Sequence, residues 1–373
     1  MTHKGTLTGG SQTFSLIVTG IYTGVADPYP FTATAASTSQ INLAWTKNPS
    51  NNNVLVAWSS TGTFGTPVNG TTYSAGNTIT GGGTVLYVGP NSTFQHTGLT
   101  ANTRYHYKIW SVNGSTVYSY GKRTMAITPC AVYDSYPITE NFNSSTDLPA
   151  CWSQQSTTGI SDWSISGSNS AGGTGNELMA IWSDANPATT RAKTFFFNTT
   201  GLSVLQLSFN HMFDDFAAGV TAKIQTSTDG VNWTDETWSI ASGGGNIGPA
   251  PVTTTITHNL NSPTTMVAFV LTGNLYNFDY WHIDDVTIKA PGYWIGGTAG
   301  NLTNWNTTTN WGDGVVPTAS TDVVIPPRTY LPVITNDPAT PAQCNNMLII
   351  GNATVTVNSG KKLVVNGAVT MQN

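Results

Sequence analysis

The chain has 373 residues, enough for two or three domains of ordinary size, yet only 8% of them are charged, against about 25% in an average soluble protein. Its formal charge is −5 and its 13 basic residues are spread thinly, which argues against the clustered Lys/Arg footprint of a nucleic-acid binder and against an electrostatic membrane anchor. No apolar run approaches the roughly 20 residues of a spanning helix, so no direct membrane insertion is expected. Thr, Ser, Asn and Gly fill the space that charge leaves. With 38 glycines and 19 prolines, the bias is toward strands and tight turns, and no long stretch repeats apolar residues at i, i+3, i+4 and i+7. The expected fold class is all-β, as tandem β-sandwiches.

Residues 1–27 carry two strand-like runs around a Gly-Gly turn. The opening Met1-Thr2-His3-Lys4 is no signal peptide, because no apolar region follows it. The runs HKGTL and QTFSLIVTG resemble the last hairpin of a β-sandwich that follows the protease domain in secreted subtilisin-like peptidases of the Bacteroidetes. That resemblance implies a catalytic domain upstream. Composition and start together read as a fragment, or a processed form, of a larger exported protein.

Over 28–128, Ile41-Asn42-Leu43-Ala44-Trp45 alternates apolar residues and ends on a Trp. Leu99 to Tyr105 has a Leu-x-x-x-x-x-Tyr spacing, and His106 to Val112 alternates as a strand should. These segments resemble a fibronectin type III or immunoglobulin-like sandwich, in which the Tyr hydroxyl caps a turn.

Over 129–290, four motifs occur in order. They are Tyr136 to Phe142 followed by Leu148 to Trp152, then Leu205 to His211, then Ala222 to Trp233 with its Ser-Thr-Asp-Gly turn, and finally His282-Ile283-Asp284-Asp285-Val286. Together they resemble the MAM-like, cleaved-adhesin (choice-of-anchor) jelly rolls of Bacteroidetes surface proteins. Over 291–373, Trp294, Trp305 and Trp311 punctuate an Asn/Thr-rich stretch. Four short runs follow: Met347 to Ile350, Thr354 to Val357, Leu363 to Val365 and Val369 to Met371. Such spacing predicts the cap and first rungs of a β-solenoid, or a small sandwich. Many Bacteroidetes surface proteins look similar here and end in a type IX secretion sorting domain, which this segment lacks.

The three cysteines are read in two ways: three buried thiols, or a Cys130–Cys151 disulfide in an oxidising compartment with Cys344 as a small core residue. No Gly-x-Ser-x-Gly elbow exists, and the six histidines are scattered. His211, on an apolar strand, is expected in the core or at an edge. Asp229-Gly230 reads as a hairpin turn, and its flank lacks the Ser-x-Asp-x-Gly spacing of a sialidase Asp-box. No pair of carboxylates is marked out for glycoside hydrolysis. The expectation is that the chain is not an enzyme and that any catalytic domain lies outside it.

Asp284 and Asp285 sit in a strand of apolar and aromatic residues, where unpaired charge is costly. Either Asp284 caps a turn while Asp285 faces water, or the pair helps hold a hard cation. Structural calcium is the expected ion, with Glu140, Asn141 and Asn143 from the first strand of the domain and Asp284 and Asp285 from the last. Of the twelve tryptophans, Trp45, Trp152 and Trp233 are expected in cores. Trp182, Trp238 and Trp281 are candidates for an exposed rim that stacks on sugar rings. The expected function is extracellular: adhesion or substrate targeting at the cell surface, with glycans or host, matrix or surface proteins as partners. The alternative is the carbohydrate-binding region of a secreted glycan-degrading enzyme, or the accessory tail of a subtilisin-like peptidase.

Overall fold

The computed structural model describes residues 24–144, 146–157, 162–336 and 339–373. The expected hairpin within 1–27 lies almost wholly outside these residues. The chain divides into two compact units, Met1–Pro129 and Cys130–Asn373. Among the described residues the only helix is a single 3-10 turn, Thr308–Asn310. None is long and apolar enough to cross a membrane. The protein is all-β.

In the first unit, β1 (Phe31–Ser37), β2 (Gln40–Trp45) and β5 (Thr93–Thr97) form one antiparallel sheet. The second contains β4 (Thr84–Gly89), β3 (Asn53–Ser59), β6 (Arg104–Val112) and β7 (Lys122–Ile127). The alternation seen in the sequence becomes the core: Ile41, Leu43 and Trp45 point inward from β2 and meet Val54, Val56, Tyr105, Tyr107 and Ile109. The Tyr105 hydroxyl accepts the Thr100 N–H at 2.9 Å, which ties the turn before β6 to the strand. This is the tyrosine corner of a fibronectin type III-like sandwich.

The second unit opens with β8 (Ile138–Glu140), β9 (Ser153–Ser156), β10 (Trp163–Ser166), β11 (Glu177–Ile181) and β12 (Ala188–Lys193). It continues with β13 (Leu205–Asp215), β14 (Val220–Ser227), β15 (Thr234–Ala241), β16 (Ile247–Ile256), β17 (Met266–Gly273) and β18 (Phe278–Lys289). One sheet has the order β10-β11-β18-β13-β16, with β8 also paired to β18; the other is β15-β14-β17-β12-β9. Rings from both sheets fill the space between them. Trp281 lies edge-on to Phe269 at 6.0 Å and stacks on Trp238 at 6.1 Å. A disulfide joins Cys130 to Cys151 across 21 residues, and Cys344 is a buried free thiol.

The remaining strands are β19 (Val323–Ile325), β20 (Val333–Ile334), β21 (Ala342–Cys344), β22 (Met347–Ile350), β23 (Thr356–Val357), β24 (Leu363–Val365) and β25 (Val369–Gln372). They pair in parallel as β19-β22-β25, β20-β23 and β21-β24, so each turn of chain adds one strand to each of three faces. This is a β-solenoid. At one corner Asp322 accepts the side-chain amides of Asn345 and Asn346 at 2.7 and 2.9 Å, and Asn346 Oδ1 accepts the Ala368 N–H at 3.0 Å. Trp294, Trp305 and Trp311 are fully buried, and Trp311 packs edge to face against each of the other two. Tyr293 lies 5.4 Å from Tyr136 and with Val324 packs into the jelly-roll core, while the solenoid interior around the three tryptophans forms a cluster of its own.

Two expectations for individual tryptophans change. Trp233 is half-buried with Arg191 5.4 Å over its ring, because it sits in the hairpin loop after β14 rather than on a strand. Trp281 is fully buried, because its side chain points between the sheets; no rim position is left to it.

The disulfide closes a loop of about 20 residues, for which the chain-entropy estimate is about 3 kcal/mol. The Cys130→Ser, Cys151→Ser variant should therefore unfold at a lower urea concentration. Tryptophan fluorescence follows this transition.

Candidate functional site

The paired acids near the end of β18 owe their placement to a bulge. Ser208 pairs with Thr287 but Asn210 pairs with Asp284, so β18 carries one residue more than β13 across this step. Asp285 absorbs it with a left-handed backbone, φ 52°. Such a conformation is uncommon outside glycine, though Asp tolerates it better than most residues. Before the bulge Trp281 and Ile283 point into the core, and after it Val286 and Ile288 do. His282 and Asp284 consequently point out of the opposite face.

That face is not open to water. The segment between β10 and β11 covers it, and Glu177 holds the segment down. Its fully buried carboxylate accepts the Ser170 and Ala171 N–H groups at 2.9 and 2.8 Å and lies 2.8 Å from His282 Nδ1. It also accepts the Ser168 hydroxyl. Burial pushes the Glu177 carboxyl up, but His282, Ser168 and the two backbone amides outweigh it and hold the group at about 2. Leu178 faces Ile283 in the register, so Glu177 comes opposite Asp284.

Asp284 is buried, at 1% exposure. Desolvation raises its carboxyl to about 6, with the charges of Asp285, Glu177 and Glu140 adding to the rise and the 2.7 Å hydrogen bond from the Asp285 N–H opposing it. Its Oδ2 lies against Gly173, where a Cβ would stand only 1.7 Å away. Glu140 pairs with Val286, and its Oε1 accepts the Phe142 N–H at 2.7 Å. Asn143 binds the covering loop through both ends of its amide: Oδ1 accepts the Asn176 N–H at 2.6 Å and Nδ2 donates to Thr174 O at 2.9 Å. Asn141 Oδ1 accepts the Asn143 N–H at 3.2 Å.

The structure thus gathers the residues proposed from sequence around the end of β8 and the bulge of β18, in two adjoining places. Glu140, Asn141 and Asp285 line an open groove with Thr139 and Ser144. Asp284 and Asn143 lie beneath the loop around Gly173 and Gly175. In kind, the donors suit a hard cation: carboxylates and amide and backbone oxygens, with no lysine or arginine in the set. The close pass of Gly173 over Asp284 also fits, as a cradle that any side chain would fill. No three carboxylate, imidazole or thiolate side chains converge on one metal position among the described residues. A calcium held here would take its remaining ligands from amide and backbone oxygens.

The proposed aromatic rim divides differently. Trp281 belongs to the core. Trp238 is half-buried, edge-on to Phe209 at 5.2 Å and to His211 at 5.5 Å. His211 is itself buried, and burial lowers its pKa. Trp182 alone of the three is open, at 44% exposure. Its ring meets that of Tyr276 at 5.5 Å, and Tyr276 meets Phe216 at 5.7 Å. Tyr276 and Phe216 carry no strand pattern and were missed in the sequence. The available signal was a large aromatic set in a turn, Asn274-Leu275-Tyr276-Asn277 and Asp215-Phe216-Ala217-Ala218-Gly219, where no core position accounts for it.

Residues 293–373 match a domain family of unknown function (DUF8693). No curated protein matches the chain in sequence. Among solved structures, the K1 cleaved adhesin domain of Lys-gingipain from Porphyromonas gingivalis W83 is 17% identical, covering 41% of this chain and 98% of that one at a TM-score of 0.31. The FN5 domain of Drosophila Lar is 17% identical over 28% of this chain and 97% of its own, at 0.20. A carbohydrate-binding module in complex with beta-1,4-galactotriose is 13% identical over 40% and 99%, at 0.27.

The covering loop supplies a steric test. Gly173→Ala must push the loop off Asp284 and should cost about 1–3 kcal/mol. Gly167→Ala, whose nearest neighbour atom would be 3.8 Å away, should be almost neutral. Urea unfolding of the two variants side by side measures the difference.

Proposed function

We propose that this chain is a non-catalytic, extracellular binding segment of a larger secreted or surface protein, serving adhesion or substrate targeting. One observation carries the reading. The loops that end the jelly roll present three exposed rings, Trp182, Phe216 and Tyr276, while the buried acids Glu177, Asp215 and Glu236 are engaged in holding loops. Glu236 is typical of those acids: it accepts the Thr257 and His258 N–H groups at 3.0 Å each and the Thr226 hydroxyl at 3.0 Å. A charge engaged in this way stabilises the fold and has no free proton to exchange with a substrate. The glycan-binding alternative keeps support from Trp182, whose open face can stack on a pyranose ring, and loses it from Trp281.

The full chain should be retained on a subset of immobilised matrix proteins or polysaccharides, and Trp182→Ala should release it. Hydrolysis of a peptide or glycan substrate that one point mutation abolishes would overturn the reading.

Structural calcium belongs to the same proposal. Glu140 and Asp284 would hold it, helped by Asp285 and by Asn141 or Asn143. The ion would neutralise carboxylates that otherwise repel one another. Because only the folded state assembles this set, calcium should raise the Tm of residues 130–373. Chelator should reverse the gain, and Asp284→Asn should make the melting curve insensitive to both. Identical curves with and without calcium would show that the hydrogen bonds suffice.

A further inference from the structure

The open end of the jelly roll is built from three segments locked together through their backbones. Trp182 N–H donates to Asp279 O at 3.2 Å and Ser183 N–H to Leu275 O at 3.1 Å. Leu275 N–H donates to Ala185 O at 3.1 Å and Asn274 N–H to Gly219 O at 2.9 Å. The Asn277 side-chain amide donates to Ala218 O at 2.6 Å. The rings carried here are therefore held on a fixed base although they face solvent: Trp182 is 44% exposed, Phe216 50% and Tyr276 52%. Neighbouring rings stand nearly perpendicular, at 86° and 84°, so they form a stepped surface with several faces turned outward. The outer row of the adjoining sheet, Ile181 paired with Tyr280 and Tyr280 with Asp214, continues it; Ile181 and Tyr280 are each 37% exposed.

Charge at this end has one sign. The segments 181–187, 214–219 and 274–280 contain Asp184, Asp214, Asp215 and Asp279, and no lysine or arginine. Asp215 is committed, accepting the Gly245 N–H at 2.7 Å and that of Gly243. Asp214 and Asp279 are half-buried; desolvation raises the Asp214 carboxyl, the nearby Asp279 and Asp215 charges add to the rise, and His282 opposes it. A neutral sugar could stack on the rings, but it would leave this repulsion in place. An ammonium or guanidinium relieves it and is also attracted by the ring faces. An anionic lipid surface would be repelled.

We propose that this end of the jelly roll docks lysine or arginine side chains of a partner protein, seated against Trp182, Phe216 and Tyr276 and paired with Asp214 and Asp279. The proposal rests on the binding-module reading above and gives its partner a chemistry.

The test titrates the full chain with a short lysine- and arginine-rich peptide. The same peptide with acetyl-lysine and citrulline, and a neutral galactan oligosaccharide, serve as comparisons, all by calorimetry at low and physiological salt. Only the basic peptide should bind, less tightly as salt rises. Trp182→Ala and Tyr276→Ala leave the net charge unchanged and should each weaken binding about tenfold, as should Asp279→Asn. All three side chains lie at the surface, and an unchanged Tm confirms that the fold survives. The proposal fails if the neutralised peptide binds equally, or if no binding of the basic peptide is seen at millimolar concentration. It also fails if the ring variants bind as the parent does, because attraction to a generally acidic chain then explains the result. Binding of the oligosaccharide that Trp182→Ala abolishes would overturn this proposal and leave the binding-module reading standing.

Discussion

Strand β18 must serve two faces at once, and the extra residue at Asp285 is what allows it. A strand without a bulge keeps one parity throughout, so Trp281 and Ile283 could not share the core with Val286 and Ile288. With Asp285 in a left-handed conformation, all four are buried between the sheets. The residues of opposite parity, His282 and Asp284, turn outward, where Glu177 and the loop before β11 close over them. The packing of the jelly roll and the burial of its acidic edge follow from one backbone irregularity.

In a chain with so few charges, the buried ones are specific. Glu177, Asp215 and Glu236 each accept two or more backbone N–H groups from a loop. A buried carboxylate satisfied in this way substitutes for the backbone partners that an irregular loop cannot find in a sheet. Asp284 differs, because it receives one hydrogen bond from its neighbour's N–H and faces other carboxylates. That contrast, rather than the bare presence of two adjacent acids, is what the calcium proposal rests on. The aromatic loop end draws on other segments, 181–187, 214–219 and 274–280, held together by their own backbone hydrogen bonds.

Much of the architecture was legible because it depends on local rules. The alternation in Gln40–Trp45 and Arg104–Val112 marks half-buried strands, and the spacing from Leu99 to Tyr105 marks the corner whose hydroxyl caps Thr100. Asp229-Gly230 turns as expected, with Asp229 Oδ1 accepting the Val231 and Asn232 N–H groups at 2.8 and 2.7 Å. Short runs separated by Gly and Asn became solenoid strands, Met347–Ile350 and Leu363–Val365 among them. The tryptophans were harder to place. Trp182 and Trp281 both lie in strand-rich, polar-flanked stretches, and the bulk of an indole is the same in either setting. Trp281 is buried because β18 is the central partner of β11 and β13; Trp182 is open because β11 has already ended.

By itself the sequence determined the fold class, the order of the modules and the strands that carry their motifs, since periodicity, turn residues and composition act over a few neighbouring residues. It also brought Glu140 and Asp284 into consideration together, through motifs at the two ends of one domain. Only the tertiary structure decided which faces those residues occupy. The parity of β18 depends on a bulge measured against β13, and the cover over Asp284 comes from a loop more than a hundred residues earlier in the chain. The three-ring surface has the same origin: Trp182, Phe216 and Tyr276 are far apart in sequence, and hydrogen bonds between three loops bring them to one end of the sandwich.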